Sequence, residues 1–293
     1  MVGLLTQLHD QLYHETATTT TIDPNISTKR LNVLVYSGVQ TYSDWKKNVL
    51  TESPGNGTAP DGVRQCLFTL RQLLSSNYAV IPVTAEMVLN EPWMAGCALF
   101  VMPGGADLPY CRTLNGQGNR RISQYVQRGG AYLGLCAGAY YGSKRCEFEV
   151  GNKDLEVVGD RELAFFPGIS RGCAFPGFVY NSKAGARAPE LDVSKTALTT
   201  GTVPEIFSSY YNGGGVFVDA PKYADRGVEV LASYTEPLHV DPGEGKAAVV
   251  YCRVGEGAAV LSAVHPEFVS SCVFTQHDLR TDDIQIYTLE SRS

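Results

Sequence analysis

No stretch of this chain approaches the ~18 consecutive apolar residues that a membrane-spanning helix needs. Charge is scarce too. Asp, Glu, Lys and Arg make up 18% of the 293 residues, against about a quarter in an average globular domain. What charge there is leans acidic, 24 basic against 30 acidic side chains for a formal −6, which argues against nucleic acid or an anionic membrane surface as the main partner. Cysteine occurs eight times but never in Cys-x-x-Cys spacing, so neither a zinc site nor a disulfide frame is indicated, and no metal or other cofactor is expected. The first 30 residues lack the basic and apolar regions of a secretory signal and carry Asp10, Glu15 and Asp23, which a transit peptide avoids. The thiols are therefore expected to be reduced and the chain cytoplasmic. Two Asn-x-Ser/Thr triplets, at Asn25 and Asn56, are read as chance in the absence of an export signal.

Glycine, at 30 residues, is abundant, and it punctuates short apolar runs. Residues 1–30 have weak periodicity and a threonine-rich stretch, and read as a poorly ordered lead-in. Strands are predicted at 31–36, 78–83, 97–102 and 131–135, and helices at 61–74, capped by Asp61, at 84–89 and at 118–127. Residues 39–60 are polar, contain Ser53-Pro54-Gly55-Asn56-Gly57, and read as a loop insertion. Strand alternating with helix implies an α/β fold, a parallel sheet with helices on both faces. Past residue 150 the texture turns β-rich, with strands predicted at 228–234, 247–253 and 257–264, the last two joined by a tight turn at 254–256. The expectation is one α/β domain over residues 31–290.

Within that frame, Gly134-Leu135-Cys136-Ala137-Gly138 ends a buried strand at a cysteine flanked two residues each side by glycine, with a helix starting at once. That is the pattern of a nucleophile elbow, with sulfur in place of oxygen. Side chains at the two glycines would collide with the adjoining strand and helix, and the helix turns its positive end toward the sulfur. A buried structural cysteine beside turn glycines is the plainer alternative. A cysteine nucleophile needs a base. Of five histidines, His265 alone directly follows an apolar strand, at the sheet edge where catalytic groups gather, and Glu267 stands two residues on, able to hold the far ring nitrogen. Gly104 and Gly105 end another strand, and with the Ala137 amide they are candidates for an oxyanion hole. Tyr140, Tyr141, Asp107 and Glu147 are expected to line the substrate pocket, with Arg145 and Glu149 at its mouth, Glu149 sharing a face with Glu147. Asn212-Gly213-Gly214-Gly215 is either a backbone approach to ligand or a hinge. Arg112, Arg120 and Arg121 read as solvated.

Cys136, His265 and Glu267, with Gly104-Gly105 upstream, resemble the class I glutamine amidotransferase pattern. More specifically, the stretches 32–38 (NVLVYSG), 102–110 (MPGGADLPY), 116–123 (GQGNRRIS), 134–148 (GLCAGAYYGSKRCEF), 162–168 (ELAFFPG), 211–217 (YNGGGVF) and 265–267 (HPE) resemble the N-terminal domain of fungal biotin–protein ligases. The resemblance implies a glutamine amidotransferase-like fold, an open, mostly parallel, flavodoxin-like sheet with helices on both faces, and a Cys-His-Glu triad. It has two departures. Glutamine-hydrolysing members commonly carry glutamine four residues after the nucleophile, where Tyr140 stands here. Biotin–protein ligases also continue into a catalytic domain with a Gly-Arg-Gly-Arg-type loop that is absent from this sequence, so this polypeptide alone is expected not to ligate biotin. Residues 39–55 are also unlike the family. Two functions remain open at this point. One is hydrolysis of a small-molecule carboxamide through a thioester. The other is a non-catalytic accessory role, binding a small amide or carboxylate ligand or the catalytic domain of a biotin–protein ligase.

Overall fold

Apolar runs of five or six residues suit strands covered on both faces, and such runs build one half of this protein. The computed structural model describes residues 30–38, 57–195 and 204–268. In chain order its first half holds β1 (Asn32–Tyr36), α1 (Pro60–Leu74), β2 (Ala79–Val83), α2 (Ala85–Asn90), β3 (Cys97–Met102), α3 (Asp107–Leu114), α4 (Gln117–Gln127), β4 (Ala131–Leu135) and α5 (Ala137–Gly142). The second half holds β5 (Ser143–Phe148), β6 (Val157–Asp160), β7 (Phe166–Gly172), β8 (Glu190–Val193), β9 (Ile206–Ser208), β10 (Gly215–Phe217), β11 (Val228–Tyr234), β12 (Ala247–Val254) and β13 (Gly257–Ser262).

The strands form one sheet. Five of them, in the order β2-β1-β3-β4-β13, are parallel throughout. The chain steps outward from β1 to β2, then returns to β3 on the other flank of β1. Right-handed crossovers therefore put α1 on one face and α2, α3 and α4 on the other. This is the flavodoxin-like order, with the chain's last described strand in fifth place, and its site-bearing crevice lies beyond the carboxyl ends of the strands. From β13 the sheet continues antiparallel through the β12–β13 hairpin to β10 and then β7, with β5 and β6 at the far edge. β11 pairs with the other side of β12 and carries β8 and β9.

Local chemistry accounts for most boundaries. α1 begins with Pro60 at its first turn and Ala59 as the capping residue, so Asp61 lies inside the first turn instead of capping it. α2 is capped by Thr84, whose hydroxyl accepts from the Met87 amide. The interior is aromatic: Tyr36 meets Tyr110 edge-on at 5.7 Å and Phe100 stacks over Tyr132 at 6.4 Å. β13 ends at Ser262, two residues before its predicted limit. No helix among the described residues is long and apolar enough to cross a membrane, and no group of three or more His, Cys, Asp or Glu there could hold a metal. The lead-in at 1–29, most of the insertion (39–56) and residues 269–293, which include Cys272 and His277, lie outside the described residues.

Candidate active site

Cys136 leaves β4 with φ +48° and ψ −102°, a backbone conformation that costs an L residue of order 1–3 kcal/mol. Its neighbours hold it there. The Cys136 amide donates to Ser262 O on β13 at 2.8 Å, and its carbonyl accepts from Ala139 and Tyr140 as α5 starts. A Cβ on Gly134 would lie 2.4 Å from Gly138 O, and one on Gly138 would lie 2.1 Å from Met102 O. The two glycines are therefore what lets strand, turn and helix pack this closely. The sulfur itself is buried, and lies 3.7 Å from Asn212 O.

His265 reaches the same point from β13. Its amide donates to Tyr210 O at 2.7 Å, and its ring lies beside those of Tyr210 and Phe268. Nδ1 of the ring is 2.8 Å from Glu267 Oε1, and the Glu267 side chain is completely buried. Glu267 is fixed in turn by α1, since Thr69 Oγ1 donates to its backbone oxygen at 2.7 Å. The Cε1 side of the His265 ring faces Gly104, which also borders Cys136 Cβ. Burial alone would push the His265 pKa down. The Glu267 carboxylate and Cys136 outweigh that and hold it well above the usual histidine value.

Gly104 closes the arrangement. A Cβ there would fall 2.6 Å from His265 Cε1 and 3.6 Å from Cys136 Cβ, so the glycine backbone, cysteine and imidazole converge. Gly105 is pinned from outside: its φ is +147°, and a Cβ would lie 1.9 Å from Gly57 O. Ala59 donates to Gly104 O at 3.1 Å and Ala106 to Gly57 O at 2.7 Å, while Tyr110 Oη donates to Pro103 O at 3.0 Å. The amides of Gly104 and Gly105 donate to no described residue. Ala137, first in α5, has no intrahelical acceptor for its own amide.

The four expected pocket residues fare differently. Tyr140 is buried on α5 and lies against the paired glycines of β7 and β10: its hydroxyl donates to Gly213 O at 3.3 Å, and a Cβ on Gly172 would lie 1.8 Å from that hydroxyl. Asp107 opens α3 and is paired at 2.7 Å with Arg161, both nearly buried. Tyr141, by contrast, is a core residue: it is completely buried, its ring edges onto Tyr110, and its hydroxyl bonds Asn119 Oδ1. Glu147 also departs from expectation. Cys146 and Phe148 of β5 pack with Tyr140, so strand alternation turns Glu147 to the opposite face, where it pairs with Arg145 and Arg171. Glu149 lies past the end of β5 with φ +49°, and accepts from the Cys173 amide, so it does not continue the Glu147 face. Sequence reasoning missed Thr69 and Tyr210, whose contacts span 198 and 55 residues of chain. Asn212, left open between ligand approach and hinge, comes to the sulfur through its carbonyl.

Residues 47–292 match the family described as Biotin-protein ligase, N terminal. A biotin–protein ligase of Schizosaccharomyces pombe is 42% identical over 214 residues, covering 73% of this chain and 32% of that protein. The chain thus spans about a third of the length of that relative. A protein of Chlamydia muridarum is 36% identical over 216 residues, 73% of this chain and 78% of that one. Among solved structures, a glutamine amidotransferase overlaps 70% of this chain and 85% of its own, with 19% identity and a TM-score of 0.45.

Proposed function

This chain belongs to the biotin-protein ligase N-terminal family, and from that premise we propose that it cleaves a small-molecule carboxamide through a thioester on Cys136. The observation that carries the reading is the convergence of the strained Cys136, the His265 ring and Gly104, with Glu267 2.8 Å behind the ring at Nδ1. The sulfur, its proton already handed to His265, adds to the amide carbon, and Glu267 steadies the imidazolium through Nδ1. The oxygen that gains charge is met by the amides of Gly104, Gly105 and Ala137. Collapse breaks the C–N bond, and His265 returns its proton to the leaving nitrogen. Water, deprotonated by the same ring, then attacks the thioester, releasing the carboxylic acid and restoring the thiol. Chloroacetamide is the direct probe. Burial pushes the thiols of Cys66, Cys146, Cys173 and Cys252 far up, Cys97 to about 12 and Cys111 to about 11, which leaves them poor competitors. Mass spectrometry should find Cys136 alkylated well ahead of these, with the rate collapsing in His265→Ala. Labelling of Cys136 no faster than the rest ends the enzyme reading.

A second reading has an observation of its own, the 32% share of the S. pombe ligase that this chain spans. A domain that forms part of a longer enzyme can act on it as an accessory, keeping the pocket for a regulatory ligand. Adding this chain to a separate biotin–protein ligase catalytic domain should then change its activity or bind it. No effect at micromolar concentration removes that reading.

A further inference from the structure

We propose that the carboxamide taken by this site is carried on an apolar acyl group of about aromatic-ring size, not on a free amino acid, and that Phe148, Phe178 and Tyr180 form the wall that receives it. The proposal rests on the thioester reading and adds the substrate class. The three rings make one continuous ladder with Tyr140: Tyr140 meets Phe148 at 5.8 Å, Phe148 meets Phe178 at 5.5 Å, and Phe178 meets Tyr180 at 4.9 Å, all nearly perpendicular. Phe148 and Tyr180 close the group at 6.2 Å. The ladder begins beside the nucleophile, because Tyr140 lies one helical turn from Cys136. It is also tied there a second time. The Phe178 ring lies where a Cβ of Gly213 would be, 2.7 Å away, and Gly213 follows the Asn212 carbonyl that faces the sulfur. At its other end the ladder reaches solvent, with Tyr180 39% exposed. Burial first, then Asp107, Cys146, Cys173 and Cys136 within electrostatic reach, push the Tyr180 hydroxyl up to about 12. Tyr180 therefore presents a neutral face at working pH.

Of the charged groups around this wall, Asp107, Arg161, Arg145, Arg171 and Glu147 are committed to each other, and Glu149 accepts from the Cys173 amide. Free glutamine brings an ammonium and a carboxylate, and each, once taken out of water, needs a fixed partner of opposite sign. Asp107 is bound to Arg161, whose Nε donates to Oδ2 at 2.7 Å, and Arg145 and Arg171 share Glu147 on the opposite strand face. The Tyr140 hydroxyl is spent on Gly213 O. An apolar acyl group asks for none of these, and gains from the rings in proportion to the area it covers.

The test compares two chloromethyl ketones on the whole chain, one with a phenylethyl tail and one with the zwitterionic tail of glutamine, with iodoacetamide as a small reference. The phenylethyl reagent should inactivate Cys136 roughly tenfold or more faster than the glutamine-like one, about what one well-made aromatic contact gives. That preference should fall toward unity in Phe178→Ala and Tyr180→Ala, and persist in Ile206→Ala, an exposed residue on distant β9. Equal or reversed rates overturn the inference, as does a preference indifferent to both ring substitutions. Failure of iodoacetamide to single out Cys136 sinks the thioester reading itself, which separates the two.

Discussion

Glu267→Gln keeps the shape of a completely buried side chain and removes its charge from a position 2.8 Å from His265 Nδ1. Stranding a buried ion by deleting its partner costs about 3–5 kcal/mol. Here the survivor can shed its proton, so the expected cost is nearer that of one hydrogen bond to a charged group, about 1.5–3 kcal/mol. The cost should depend on pH in a definite direction. The folded-state pKa of His265 is held above its unfolded value, so the wild-type protein has the full stabilisation below about pH 6.5 and loses it as pH rises through the raised value. In the variant, burial without the carboxylate acts on the ring, and the imidazolium is disfavoured instead. The two stabilities should therefore differ most near pH 6 and converge on the alkaline side, where a neutral ring can give its Nδ1 proton to an amide oxygen as well as to a carboxylate. Urea unfolding of both proteins at half-unit steps from pH 6 to 9 measures the gap. A gap that stays flat, or widens with pH, refutes the coupling between Glu267 and His265.

Other substitutions test the frame around that pair. Gly138→Ala puts a methyl 2.1 Å from Met102 O, a backbone atom that cannot swing away, so a loss of at least ~1–3 kcal/mol is expected together with slower alkylation of Cys136. An unchanged melting temperature and labelling rate would contradict the close packing of β3 on the elbow. Arg161→Met leaves the Asp107 carboxylate nearly buried and unpaired, and should cost about 3–5 kcal/mol by chemical denaturation. The double variant Asp107→Leu with Arg161→Met should recover most of that loss. A double variant as unstable as the single one would show that the pair matters for its shape and not its charge.

Much of the parallel half was legible because its signals are local. The runs 97–102 and 131–135 are apolar throughout and end at glycine or at the elbow, and both strands occur at the predicted residues. The Gly-x-Cys-x-Gly pattern and the His-Pro-Glu spacing are also local, and each brought its residues to one sheet edge. α3 was not foreseen, because an eight-residue segment with Pro109 and little periodicity offers no helical stripe. Its start is set by the glycine turn before it. Tyr141 was misplaced for a related reason: α5 has six residues, all buried, so it has no solvent side on which a pocket residue could be told from a core one. The pairing of Glu147 with Arg171 follows from β7 lying parallel to β5, a contact between segments 24 residues apart that no local pattern contains. The same distance effect hid Tyr210 and Thr69.

The elbow also bears on whether Cys136 is there for packing. A turn with φ +48° and ψ −102° is cheapest for glycine, so a cysteine kept only to fill space would sit at the least suitable position in the segment. Relief of the strain is worth about 1–3 kcal/mol, less the roughly 0.5–1 kcal/mol that glycine forfeits through the freedom of its unfolded chain. Both Cys136→Gly and Cys136→Ala remove the sulfur, so the difference between them isolates the backbone. Cys136→Gly should be the more stable of the two by roughly 0.5–2 kcal/mol in urea unfolding, while neither retains reactivity toward chloroacetamide at this site. The backbone contacts that impose the turn come from β13, through Ser262 O, and from β3, through Met102 O packed on Gly138. Both strands also carry the other groups of the proposed reaction, His265 and Gly104. The strain is therefore stored by the same two strands that assemble the site. Should Cys136→Ala prove the more stable variant, the turn is not strained for an L residue and Cys136 loses its claim to be held there for chemistry.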